Sequence, residues 1–181
     1  MDMLVDALPD ELQQAVDEHE RAVAGALRGP NLEFVISKGK RWTRGQTVVV
    51  AFRGGSDELY GRIAATASEW MRHGNIRLEF KDPQTSAFYQ WSLADRGFTT
   101  QIRVSFDQTG YWSLIGTDSV NAAITRSGTA SMNFGGFAQR LPQDWSATVL
   151  HEFGHALGFQ HEHQHPTGVC EAEFRWVLVP E

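Results

Sequence analysis

The sequence predicts an α+β domain, and three observations carry that prediction. Residues 48–52, Val-Val-Val-Ala-Phe, form a short β-branched apolar run of the kind found in a strand covered on both faces. Residues 76–80 and 102–106 alternate apolar and polar side chains, the period of a strand with one wet face. Two longer segments, near 56–74 and 144–157, carry helix start and stop signals around apolar residues at helical spacing.

Taken in order, Pro9, Asp10 and Glu11 open a segment in which Leu12, Val16, Val23 and Leu27 recur at near-helical intervals until Arg28-Gly29-Pro30 stops it. This predicts a peripheral N-terminal helix with a solvated charged face. The first strand ends at Arg53-Gly54-Gly55, and Ser56 then caps a helix whose dipole suits Asp57 and Glu58 in its first turn. Leu59, Ile63, Ala67 and Trp70 make its core stripe, and Gly74 stops it. Ile76, Leu78 and Phe80 against Arg77 and Glu79 give one strand, and Ile102, Val104 and Phe106 against Arg103 and Ser105 give another. Residues 81–100, with Asp82-Pro83 and Arg96-Gly97, read as loop with short strands at most. Tyr111 to Thr117 and Ala130 to Gly135 are weaker strand candidates. The last helix runs from about Asp144 to Leu157, capped by Asp144 or Ser146 and ended by Gly158.

The 181 residues, 41% of them hydrophobic, suffice for one core in a single domain, possessing no repeat or low-complexity tract. A net charge of -6 and a pI near 5.6 give no electrostatic reason to expect nucleic acid or an anionic membrane as partner. Cys170 is the lone cysteine, so no intramolecular disulfide forms. The start, Met-Asp-Met-Leu-Val-Asp, is acidic where a secretory signal is basic, and no apolar run reaches the ~20 residues of a membrane span. A cytoplasmic location, or export by a route without such a signal, is the expectation.

The chemistry concentrates in His151-Glu152-Phe153-Gly154-His155-Ala156-Leu157-Gly158-Phe159-Gln160-His161. On a helix, residues four apart are offset by about 40° and ~6 Å, so His151 and His155 project toward a common point and can chelate one ion. A catalytic zinc takes three protein ligands and keeps a position for water. His161 can be the third ligand because Gly158 ends the helix; a continued helix would carry it about 15 Å from His151 along the axis. Glu152, next to a ligand but rotated by about 100°, is placed to act as general base on a zinc-activated water that attacks a carbonyl, then to pass the proton to the departing amine. One zinc per chain is expected. His163 and His165 are expected to be exposed loop residues.

This motif resembles that of the metzincin metallopeptidases, and Gly158-Phe159-Gln160-His161-Glu162 resembles the astacin branch, in which Glu follows the third His. Residues 112–118 and 131–135 are similar to segments of bacterial astacin-like domains, extending the likeness over about 40 to 165. The resemblance implies a zincin-like fold, a twisted mixed sheet with two long helices of which the second carries the first two ligands. It implies zinc-dependent endopeptidase activity on peptide or protein. It also implies an edge strand that pairs with extended substrate, placed by position at Ala130 to Phe134, with Ser131, Met132, Asn133 and Phe134 as substrate-binding residues.

The family places a methionine-containing turn and a tyrosine downstream of the third His, whereas Met1, Met3, Met71, Met132, Tyr60, Tyr89 and Tyr111 all precede the motif. The expectation is therefore an N-terminal helical extension over 1–30 and a metzincin-like domain over 31–181 whose C-terminal lobe is truncated or absent. Glu162, the counterpart of a residue that anchors a mature N-terminus, and the apolar tail 174–179 have no assigned role. The competing reading is a zinc-holding remnant of such an enzyme, catalytically impaired, acting as a binding module.

Overall fold

The computed structural model describes residues 7–26 and 39–161. The elements are α1 (Asp10–Ala26), β1 (Thr47–Phe52), α2 (Asp57–Ala67) running into a 3-10 turn at Ser68–Arg72, β2 (Arg77–Glu79), β3 (Ile102–Ser105), β4 (Tyr111–Ser113), a second 3-10 turn at Gly116–Val120, β5 (Met132–Phe134) and α3 (Trp145–Ala156). Together they make the mixed α+β architecture that the periodicities predict.

Five strands form one sheet in the order β2-β1-β3-β5-β4. The first four are parallel, with Val48 opposite Leu78, Val50 opposite Ile102 and Val104 opposite Met132; β4 is antiparallel to β5, with Trp112 opposite Asn133. Parallel neighbours need a crossover, which α2 supplies between β1 and β2. Ser56 caps α2 by accepting the N–H of Leu59.

The alternation of side chains splits the core into two layers. On one face Val48, Val50, Phe52, Ile102, Val104, Met132 and Phe134 pack under Leu59, Tyr60 and Ile63 of α2 and Val149, Phe153 and Ala156 of α3. Removing each of the larger side chains from water stabilises the fold by about 1.5–3 kcal/mol, so this layer fixes both helices against the sheet. On the other face Ala51, Trp91, Trp112 and Ala130 meet Leu8 and Leu12, while Val16 of α1 packs on Leu114 and Ile124. The N-terminal helix is thus docked on the back of the sheet. The expected boundary after residue 30, with Leu27 and the Arg28-Gly29-Pro30 stop, lies outside the described residues.

Two expectations are corrected here. β3 is buried on both faces, not wet on one: Arg103 and Ser105 are fully enclosed. Arg103 is tolerated there because its donors find main-chain oxygens, Nε that of Thr129 at 2.7 Å, Nη2 that of Ser119 at 2.7 Å and Nη1 that of Thr100 at 3.2 Å. Burial pulls the guanidinium pKa down to about 10, with Asp95 acting the other way, so it remains a cation at neutral pH.

The segment Ala130 to Phe134 is likewise no edge strand. β5 lies between β3 and β4, and Ser131, Met132, Asn133 and Phe134 are all buried. They cannot receive a peptide by strand addition, because the pairing groups of β5 are occupied on both sides. Asn133 instead holds the 105–110 loop, accepting from Ser105 Oγ at 2.9 Å and donating to Gly110 O at 2.7 Å. The edges are β2 and β4. Among the described residues no helix is long and apolar enough to cross a membrane.

Candidate metal centre

The motif helix α3 owes its position to one apolar and one mixed face. Val149, Phe153 and Ala156 face the sheet, while His151 is exposed and Glu152 and His155 are buried at its flank. Asp144 occupies the N-cap position but its side chain makes no capping bond; Ser146 lies inside the helix. Tyr111 of β4 is close to this start, and burial together with the Asp144 carboxylate pushes its hydroxyl pKa up.

Two tryptophans grip the helix, one at its middle and one at its C-terminal end. Trp70 Nε1 donates to Leu150 O at 3.0 Å and Trp42 Nε1 to Ala156 O at 2.8 Å. Trp70 reaches the helix because position 154 is glycine: a Cβ there would lie 3.2 Å from its ring. Sequence reasoning placed Trp70 in the core stripe and gave Trp42 no role. A buried tryptophan usually finds an acceptor, but which carbonyl it meets is decided by the fold.

The helix ends as a Schellman motif. Gly158 adopts φ +106°, its N–H donates to His155 O at 2.8 Å, and Phe159 N–H donates to Gly154 O at 3.1 Å. The turn then does two things for the histidines. It returns the chain so that His161 joins the first two, and it presents Phe159 O to His155 Nδ1 at 2.8 Å. A carbonyl can only accept, so Nδ1 carries the proton and the neutral ring turns its Nε2 lone pair outward.

That lone pair faces the other two rings. His155 Nε2 lies 3.1 Å from His151 Nε2 and 3.1 Å from His161 Nε2, and the last two are 3.2 Å apart. Three imidazole nitrogens cannot all hydrogen-bond one another at this spacing, since each ring nitrogen offers either a proton or a lone pair. The spacing is close to the edge of a tetrahedron of nitrogens ~2.0–2.1 Å from a common cation, about 3.4 Å. An all-imidazole set suits zinc among borderline-soft metals. Among the described residues, these three form the one group of His, Cys, Asp or Glu able to hold a metal ion. The structure therefore brings together His151, His155 and His161, with Glu152 buried beside them and Ser131, Met132, Asn133 and Phe134 in the sheet. His163, His165, Glu162, Cys170 and the tail 174–179 lie outside the described residues.

No family model matches this chain, and no curated protein matches it. Among solved structures, one of myroilysin superposes with a TM-score of 0.58 at 34% identity, covering 72% of this chain and 56% of that one. A second crystal structure of myroilysin gives 0.54 at 35% identity, over 71% and 49%. A hatching-enzyme zinc-protease from the medaka fish Oryzias latipes gives 0.41 at 20% identity, over 70% and 52%. The chain spans about half the length of the structures it matches.

Proposed function

Since the chain is an astacin-like metzincin, with the fold of the zinc proteases it resembles, we propose that it is a zinc-dependent metalloendopeptidase. The observation that carries this reading is the convergence of His151, His155 and His161 Nε2 within 3.2 Å of one another beside the buried Glu152.

In this reading the three imidazoles hold one zinc, and the exposure of His151 leaves the site accessible to peptide from solvent. Zinc, when bound, supplies Lewis acidity, lowering the pKa of a coordinated water from 15.7 toward ~7 and polarising the scissile carbonyl. Glu152 accepts the proton of the attacking water on its carboxylate and returns it to the leaving nitrogen. His155 is kept as a lone-pair donor by Phe159 O, and Trp42 and Trp70 hold the helix in register beneath the sheet. With the substrate-pairing role removed from Ala130 to Phe134, the edge near this helix is β4. Its neighbours Gly110 and Leu114 pair with Gly135 and Ser131, so by alternation Tyr111 and Ser113 turn their main-chain groups away from β5. Peptide or protein is the substrate class.

The test is hydrolysis of labelled casein by the zinc-loaded chain and by Glu152→Gln. Loss of a general base is expected to lower kcat on the order of 10²–10⁴-fold while zinc stays bound. Equal hydrolysis by the variant would sink the assignment. Stoichiometric zinc with no hydrolysis by either protein would favour a zinc-holding domain instead.

A further inference from the structure

We infer that Lys40 is a positioning residue for the metal site, tying α1 on the back of the sheet to the turn that aims two of the three ligands. This rests on the zinc reading above.

Lys40 is 5% exposed, far from the ordinary situation of a lysine. Its Nζ lies 2.6 Å from Glu20 Oε1 of α1 and 2.8 Å from Asp118 Oδ2 in the 3-10 turn Gly116–Val120. Its own main chain is equally engaged: Lys40 O accepts the N–H of Thr117 at 2.9 Å, and Gly39 O accepts Thr117 Oγ1 at 3.1 Å. The segment 39–42 is thereby fastened from two directions, by its side chain to α1 and by its backbone to the 3-10 turn.

What this fastened segment touches is the end of α3. A Cβ built on Gly158 would lie 3.6 Å from Lys40 O and 3.8 Å from Arg41 Cγ, and one built on Gly116 would lie 3.4 Å from Gly158 Cα. Two residues on, Trp42 donates to Ala156 O. Gly158 is thus seated between Lys40-Arg41 and Gly116. The same turn delivers Phe159 O to His155 Nδ1 and His161 to the cluster. The lysine acts through the backbone brace, and α1 acts through the lysine.

A brace of this kind couples two equilibria, the docking of α1 and the binding of zinc, and the coupling is reciprocal. Glu20→Gln removes the handle on α1 and leaves the Lys40–Asp118 pair in place. Its zinc affinity, read by competition with a chromophoric chelator, is expected to fall roughly 3- to 30-fold. Lys40→Met combined with Asp118→Leu removes both buried charges together and leaves only Glu20, whose side chain is 38% exposed and can be hydrated; it is expected to lose on the order of tenfold or more. Zinc should raise the hydrogen-exchange protection of the α1 amides in the parent, and less so in either variant. Phe88→Leu, in the core layer against Tyr60 of α2, serves as a control for general destabilisation.

Loss of affinity in both charge variants, with the control near the parent, supports the inference. Parent-like affinity in both, or an equal loss in the control, overturns it while leaving the zinc reading intact. A parent that binds no zinc overturns the reading of the site itself.

Discussion

Adding one methyl group at Gly116 tests how the site is braced. The new Cβ would fall 1.8 Å from Lys40 O and 2.9 Å from the carbonyl carbon, both backbone atoms that no rotamer change can move aside. Carbon and oxygen are at ease near ~3.5 Å, so the two segments must part by roughly 1–2 Å. Gly116 also sits at φ +53°, a conformation costing a residue with a Cβ about 1–3 kcal/mol. Parting the segments breaks the Thr117–Lys40 main-chain bond, about 0.5–1.5 kcal/mol, and strains the buried Lys40–Asp118 pair, whose rupture costs about 3–5 kcal/mol. The expected loss for Gly116→Ala, taking the pair as strained and not broken, is about 4 kcal/mol, or a fall in Tm of about 10 °C for a domain of this size. Thermal melting followed by circular dichroism measures it. Gly61→Ala in α2, where a Cβ meets nothing within 4 Å, should instead gain about 0.5–1 kcal/mol through helix propensity. A Gly116→Ala protein melting within ~3 °C of the parent would refute the packing argument.

Other expectations follow from single groups. Trp112 Nε1 is buried with no acceptor among the described residues, whereas Trp91 Nε1 donates to Val104 O at 2.8 Å, so Trp91→Phe should cost about 1–3 kcal/mol more than Trp112→Phe in urea unfolding. For Lys40, burial alone lowers the pKa, but the Asp118 and Glu20 carboxylates outweigh it and leave the ammonium above 10.5. Its contribution to stability is present below 10.5 and lost as pH rises through the folded value. Tyr60, raised by burial, also costs stability above pH 10, since the unfolded phenol ionises first. Melting scans from pH 9 to 12 should show this fall in the parent and a shallower one in the Lys40→Met, Asp118→Leu protein; identical slopes would remove Lys40 from the account. Zinc at a hundredfold excess over its Kd should stabilise the chain by about 2.7 kcal/mol, so chelation should lower Tm by several degrees; a chelator-insensitive Tm would contradict binding at the three histidines.

How much of this was legible in the sequence depends on the range of the interaction. Ser56 capping α2, the β-branched run of β1 and the Gly158 stop are local, and each stands where the residues predict. The cluster of His151, His155 and His161 was readable for the same reason, since helical periodicity and one glycine suffice to gather them. Strand pairing is not local. Met132 faces Val104 on one side and Ser113 on the other, and nothing in residues 130–134 records that both flanks are taken. Arg103 looked like the wet side of a strand because its partners, the oxygens of Thr129 and Ser119, belong to the backbone and carry no signature. Lys40 and Asp118 are 78 positions apart, and their pairing appears only once α1 and the 3-10 turn meet.

The tryptophan grip on α3 has a bearing on how this helix can change. Both indoles hold carbonyl oxygens, those of Leu150 and Ala156, so the hold is indifferent to which side chains stand at positions 150 and 156. The helix is pinned against sliding along its axis while its solvent-facing positions stay open to substitution. A librarian of variants could therefore rewrite exposed positions such as Ser146 and Ala147, the latter one turn before His151, without shifting the histidines, provided position 154 remains glycine for Trp70 to rest upon.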